Sequence, residues 1–287
     1  EWFPDKEIKN KKDLTVKQMF SHYSGMKSWI PFYKKTIDSV TNTRINKYYS
    51  NKKSQKFPFQ VSDDLYIRNY NDTIFNEIIN SELSDSLSYV YSDLPYFLLK
   101  FYLEKKYQLS LDTQIKNYLY DKIGSTSLTY KPTNFLDKKL IVPTAVDDYF
   151  RFNLVEGHVH DMGAAMMDGI SGHAGLFGNS LDIAKILQLF LQKGSYANEK
   201  FFEEKFFDLF NFRHFEDKKV RRGIGFDKPE LDPDDPNTCG CVSDKSFGHY
   251  GFTGSVAWVD PETEIIYVFL SNRTFPDENN NSLSEYN

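Results

Sequence analysis

Three stretches of the 287-residue sequence carry residue types and spacings that could do chemistry. Val90-Tyr91-Ser92-Asp93-Leu94 places a phenol just ahead of an apolar run. If that run is a helix, its N-terminal amides and dipole favour a phenolate at Tyr91, while Ser92 and Asp93 can cap the helix and orient groups in a cleft. A plain helix cap beside a packed tyrosine has the same pattern. Phe247-Gly248-His249-Tyr250-Gly251-Phe252-Thr253-Gly254 flanks a strand-like run with glycines, which let another group approach the backbone closely. A strand N–H there can form half of an oxyanion hole, with His249 as a donor or positive charge beside it. A twisted hairpin with a surface histidine would look alike.

Gly157-His158-Val159-His160-Asp161 is a third candidate, because His-x-His-Asp can begin a metal site. No third and fourth ligand follows at usable spacing, so the segment reads as a hydrogen-bonded loop. Gly169-Ile170-Ser171-Gly172-His173-Ala174-Gly175, just downstream, lacks the strand–turn–helix pattern of a phosphate loop. Cys239 and Cys241 are too few for a disulfide framework and lack companion metal ligands, so they read as loop residues. Neither metal nor cofactor is expected.

The elements that must position these groups change character along the chain. Thr15-Val16-Lys17-Gln18 is a capping box opening a short helix expected to stop at Gly25. A second helix is expected from about Asp93 to Lys106, with Leu94, Phe97, Leu98, Phe101 and Tyr102 on one stripe. Ser110 should cap a third, burying Leu111, Ile115, Leu119 and Ile123 and ending at Gly124. A fourth runs from Ser180 to Gly194 on Ile183, Ile186, Leu187, Phe190 and Leu191. The period then shortens: Phe247–Gly251, Ser255–Val259 and Glu264–Ser271 predict three strands with connections short enough to force an antiparallel meander. Helices followed by antiparallel strands give an α+β arrangement, with a helix-rich region over about 13–165 and a sheet-and-helix region over about 166–276. Three strands make a thin sheet for this length, and the first twelve residues are too few and too charged to thicken it.

Composition sets outer bounds. With 40% apolar and 16% aromatic residues the chain is globular rather than disordered. Its net charge of −5 and pI near 5.7 argue against a basic groove for nucleic acid. The longest apolar run, Ile265 to Leu270, is far below the ~20 residues that span a bilayer. The sequence starts at Glu1 without a charged and apolar leader and stops at Asn287, so a processed protein or a piece of a longer one is expected.

In order and spacing, these segments resemble the serine β-lactamase and penicillin-binding-protein superfamily, in its class C, D,D-carboxypeptidase and esterase branch. Ser21-His22-Tyr23-Ser24-Gly25-Met26 resembles that branch's His-x-Ser-Gly-Leu turn, and Tyr91-Ser92-Asp93 its Tyr-x-Asn motif with Asp for Asn. Gly172-His173-Ala174-Gly175-Leu176-Phe177 resembles its Gly-x-Ala-Gly-Leu segment, and His249-Tyr250-Gly251 stands where it has Lys-Thr-Gly or His-Thr-Gly. The resemblance implies a β-lactamase/transpeptidase-like fold in which Tyr91 and His249 line one cleft and the Phe252 N–H points into it. It implies catalytic roles for Tyr91, Asp93, His249 and Phe252, and substrate-binding roles for Ser92, Tyr250 and Gly251.

The superfamily's nucleophile is the serine of a Ser-x-x-Lys opening a helix, with the lysine one turn later assisting activation. In this branch that helix precedes the His-x-Ser-Gly turn, so it would lie upstream of Glu1. The matches Ser24-Gly25-Met26-Lys27 and Ser50-Asn51-Lys52-Lys53 lack the required helix context and read as chance. Residues 1–287 are therefore expected to form a single truncated domain without its N-terminal strands and nucleophile helix, inactive alone. Tyr250 in place of a short hydroxyl residue argues for ester or amide substrates over β-lactams. The expected parent is a serine hydrolase of small acyl or peptidoglycan-type substrates in the cell envelope, periplasm or outside. The alternative is a non-catalytic β-lactamase-like module, similar to regions appended to family-3 glycoside hydrolases, with such a domain on its N-terminal side.

Overall fold

A computed structural model describes residues 2–3, 9–280 and 282–285. The capping box forms as expected: the Thr15 hydroxyl accepts the Gln18 N–H and the Gln18 amide oxygen accepts the Thr15 N–H, opening α1 (Val16–Phe20). The helix ends earlier than Gly25. Ser21 is its C-cap and His22 takes the left-handed conformation, with φ 58°, that glycine usually supplies. Short strands that periodicity did not predict follow: β1 (Tyr49–Ser50), β2 (Phe59–Ser62) and β3 (Leu65–Ile67) pair antiparallel in the order β1-β3-β2.

Next come α2 (Asn71–Asn80) and α3 (Leu94–Tyr107), the latter within a residue of its expected bounds and burying Leu94, Phe97 and Leu98. The third helix departs from expectation. It is regular only over α4 (Leu111–Ile115) and continues in wider turns from Lys116 to Tyr120. Ser110 does not cap it through its side chain. Its hydroxyl meets that of Thr113, and the Leu111 N–H is taken by the Glu104 carboxylate at 2.9 Å. Short strand pairs surround a one-turn helix downstream: β4 (Thr129–Tyr130) pairs β7 (Leu176–Phe177), and β5 (Pro143–Asp147) pairs β6 (Asn153–Glu156), with α5 (Met162–Ala165) between them in the chain.

Then α6 (Ser180–Leu191), capped by Asn179, leads to the β8 (Ser195–Tyr196) and β9 (Glu199–Lys200) hairpin and α7 (Glu204–Asn211). The expected meander is present: β10 (Phe247–Tyr250), β11 (Val256–Asp260) and β12 (Ile265–Phe269) pair antiparallel in sequential order. Two cores result. The larger lies among α1, α2, α3 and α5 with Met26, Phe32, Ile67, Phe150 and Met166. The smaller joins Leu187 of α6 and Phe207 of α7 to Phe247 and Val259 of the sheet, with Ile266 and Val268 against it. The other face of β12 carries exposed Ile265, Tyr267 and Phe269. A ladder-like bridge between Asp227 and Gly248 and the Ser21 hydroxyl bond to the Gly223 carbonyl tie the two halves together. Among the described residues no helix is long and apolar enough to cross a membrane.

Candidate active site

Four segments far apart in sequence meet at the seam between these cores. Left-handed His22 turns its ring inward, and its Nδ1 accepts the Ser92 N–H at 3.1 Å. The neutral ring then carries its proton on Nε2, which is buried and has no hydrogen-bond partner among the described residues. Burial, then the Arg222 guanidinium, push the His22 pKa down to about 2, so the ring stays uncharged. Tyr91 lies over it with ring centres 4.5 Å apart.

His249 projects from β10 on the opposite side, its ring 6.1 Å from that of Tyr91. Its Nδ1–H donates to the Tyr250 carbonyl at 2.7 Å, and its Nε2 accepts from Arg222 at 3.0 Å. Burial and the adjoining guanidinium lower its pKa, keeping the imidazole neutral. Arg222 itself is buried, with its guanidinium carbon 5.0 Å from the centre of the Tyr91 ring. It donates to the Tyr89 hydroxyl at 2.9 Å and to Asp227 at 2.9 Å. Arg221 holds the same carboxylate through two bonds, at 2.8 and 3.1 Å. Gly248 leaves no space for a side chain beside this network, since a Cβ would lie 2.2 Å from the Ala257 carbonyl.

The sequence-derived residues divide into groups. Tyr91 and His249 are brought together. The expected phenolate is not favoured: burial, then the Asp93 carboxylate, push the Tyr91 hydroxyl up to about 12, outweighing Arg222. Asp93 does not cap α3 through its side chain. Burial raises its carboxyl to about 6 although His173 favours the charged form. Ser92 is displaced from its expected substrate-facing role, being fully buried. Its hydroxyl donates to the Lys27 carbonyl at 2.6 Å and accepts the Leu94 N–H at 3.3 Å, so it caps the helix and anchors the 26–28 turn. The Tyr250 hydroxyl also points elsewhere, donating to the Asn237 carbonyl at 2.5 Å. Gly251 starts the hairpin turn, its N–H on the Ser255 carbonyl at 2.7 Å. Phe252 is exposed, its ring 4.9 Å from that of His160 and under the Arg273 guanidinium.

Behind Asp93 is a second cluster. Asp93, Asp161 and His173 bring one possible ligand atom each within 4.8 Å of one another. Both His173 nitrogens are already engaged: Nε2 faces the Asp161 carboxylate at 2.9 Å and Nδ1 faces the Ser171 hydroxyl at 2.9 Å. Burial works against charge on both partners, but their pairing prevails, raising His173 and lowering Asp161. The Asp161–His173 pair, with the His173 ring stacked on Phe97 of α3, holds the 161 and 173 loops against the start of that helix. His158 and His160 point instead to Asp63 and Glu278.

Neither serine of the Ser-x-x-Lys matches opens a helix. Ser24 is buried in the turn after His22, and Ser50 lies on β1 with its hydroxyl on the Lys52 carbonyl. Sequence reasoning missed Arg222, Asp227 and Tyr89, and assigned no role to His22. The Arg221-Arg222 doublet followed by Asp227 was the only local sign of a buried charge network.

The sequence profile of the family described as Beta-lactamase matches residues 1–286. The chain belongs to the beta-lactamase family. It is 28% identical, over 97% of its length, to the N-acetylmuramyl-L-alanine amidase of Bacillus subtilis, and covers 61% of that protein. It is 30% identical over 67% of its length to a Salmonella agona protein with a provisional D-alanyl-D-alanine carboxypeptidase designation, covering 47% of it. The chain thus spans about half to three fifths of these relatives. The penicillin-binding protein of Bacillus halodurans shares the fold with a TM-score of 0.59 at 11% identity, over 95% of this chain and 71% of that one. The β-lactamase/transpeptidase-like α+β architecture expected from the resemblance is therefore the one observed.

Proposed function

We propose that this beta-lactamase-family chain supplies the tyrosine–histidine side of a serine acyl-hydrolase site acting on amide or ester bonds of peptidoglycan-type substrates. The observation that carries the reading is the meeting of Tyr91 and His249 beside a neutral His22 and a buried Arg222. The amidase and carboxypeptidase relatives support the substrate class. In this reading the serine comes from a Ser-x-x-Lys segment upstream of Glu1. Tyr91, neutral at physiological pH, passes a proton to the leaving nitrogen or oxygen and is resupplied from the serine. Arg222 holds the opposite wall positive with the neutral His249 ring beside it, the Phe252 N–H stabilises the tetrahedral oxyanion, and Gly251 opens the turn that carries that N–H. Below about pH 6 the protonated Asp93 offers the substrate a donor where the family has an amide.

The test uses the longer protein with its upstream segment and compares wild type with Tyr91→Phe on muropeptides and nitrophenyl esters. Loss of the phenolic hydroxyl should lower kcat by ~10²–10⁴-fold with an unchanged melting temperature. Full activity in Tyr91→Phe, or fluorophosphonate labelling of Ser24 in the chain alone, would refute it. A parent without Ser-x-x-Lys would favour the non-catalytic module attached to a glycoside hydrolase.

A further inference from the structure

The loop from Lys228 to Ser246 holds chemistry that the hydrolase reading leaves unused. Cys239 and Cys241 are joined by a disulfide with Cα atoms 5.3 Å apart, inside the usual range. Gly240 between them has φ +70° and open space around it, and both cysteines are exposed. A cross-link stabilises chiefly by restricting the unfolded chain, and the effect shrinks with the loop it closes. This one closes the loop around a single residue.

Nor does the segment depend on it. Asn237 accepts the Glu230 N–H at 2.7 Å, donates to the Lys228 carbonyl at 3.1 Å and takes the Tyr250 hydroxyl on its own carbonyl. Beyond the cysteines, Ser243 donates its N–H and hydroxyl to the Asp260 carboxylate at 2.9 and 2.6 Å. Anchors on both sides hold the loop without either sulfur. Such a bond offers little stability but full access to an attacking thiolate, which is what exchange requires.

We infer that Cys239-Gly240-Cys241 is a reversible thiol–disulfide exchange site for small thiols. A thiolate attacks one sulfur, making a mixed disulfide and releasing the other cysteine as a thiolate. A second small thiol then attacks the mixed disulfide and leaves as the oxidised small-molecule disulfide. Two electrons pass from two thiols to the protein, and the two protons end on Cys239 and Cys241. Oxidised glutathione returns the pair by the reverse steps.

Native, purified chain is incubated with reduced glutathione, quenched with iodoacetamide and weighed intact. Before reduction no cysteine should be alkylated. After it both should be, with the far-ultraviolet circular dichroism unchanged, and oxidised glutathione should restore full protection. Treated with oxidised glutathione and freed of excess reagent, Cys241→Ser should keep one glutathione at Cys239, the second glutathione leaving as the thiol, because no partner cysteine remains to expel the first. Protection that persists until denaturant is added, alkylation without any reductant, or loss of the circular dichroism on reduction would each overturn the inference. The wild-type measurement decides even if the variant does not fold.

Discussion

Replacing Asp93 by Asn tests how the site treats charge at the start of α3. Burial lifts this carboxyl from 3.8 to about 6 in the folded chain, against the attraction of His173. The folded state therefore binds the proton more tightly than the unfolded one. Stability from this group is complete below about pH 3.8 and is lost as pH rises to about 6. At 1.36 kcal/mol per pKa unit, a difference of roughly 2 units costs up to ~3 kcal/mol at pH 8. Asparagine keeps the shape and hydrogen-bonding capacity without the charge, so it removes that cost. Asp93→Asn should raise stability at pH 8 by about 1–3 kcal/mol, equivalent to ~2–5 °C in Tm, and change it little at pH 3.5. Urea unfolding of both proteins at the two pH values reads the difference, and the comparison cancels the titrating groups that do not interact with Asp93, leaving its coupling to His173 and Asp161 in the result. A variant less stable at pH 8, or shifted equally at both, would refute the claim that burial outweighs the His173 pairing.

The remaining predictions concern two other buried charged groups, Arg222 and Asp182. Arg222→Met removes the cation on the His249 Nε2, so the His249 pKa should climb back toward 6.5, followed by the imidazole proton resonances; an unchanged or lower value would remove Arg222 as a cause. Asp182 is buried and accepts the Thr126 and Ser127 N–H groups and the Ser127 hydroxyl at 2.7–2.9 Å, besides Lys185. Asp182→Ala should cost about 2–4 kcal/mol by urea unfolding near neutral pH, and a cost under ~0.5 kcal/mol would show that water replaces these bonds.

What could be read from the sequence follows the range of the interactions involved. The Thr15–Gln18 box, the apolar stripe of α3 and the period-two runs of the meander are local patterns, and each formed near its expected place. The pairing of Tyr91 with His249 is long-range and was legible only through motif order. Arg222 had no such signal: it sits in a loop without periodicity, and its partners Tyr89, Asp227 and His249 are assembled only by the fold. Helix ends failed for a different reason. His22 accepts a left-handed backbone because its ring is held by Ser92 and Tyr91, a tertiary gain that outweighs the preference for glycine. Ser110 lost its capping role to Glu104, a side chain from the preceding helix.

The outward face of β12 bears on solubility. Among the described residues this strand has a neighbour on one side only, and Ile265, Tyr267 and Phe269 stand exposed along it. An open ladder accepts any extended segment in register, including the same strand of another molecule. Exposed Glu264 at its entrance, beside a Glu262 paired with Lys245, acts as a charged gatekeeper, repelling an identical edge at low ionic strength. Salt screens that repulsion while leaving the apolar attraction intact. The concentration at which preparations of this chain stay clear should therefore fall, not rise, as salt is added.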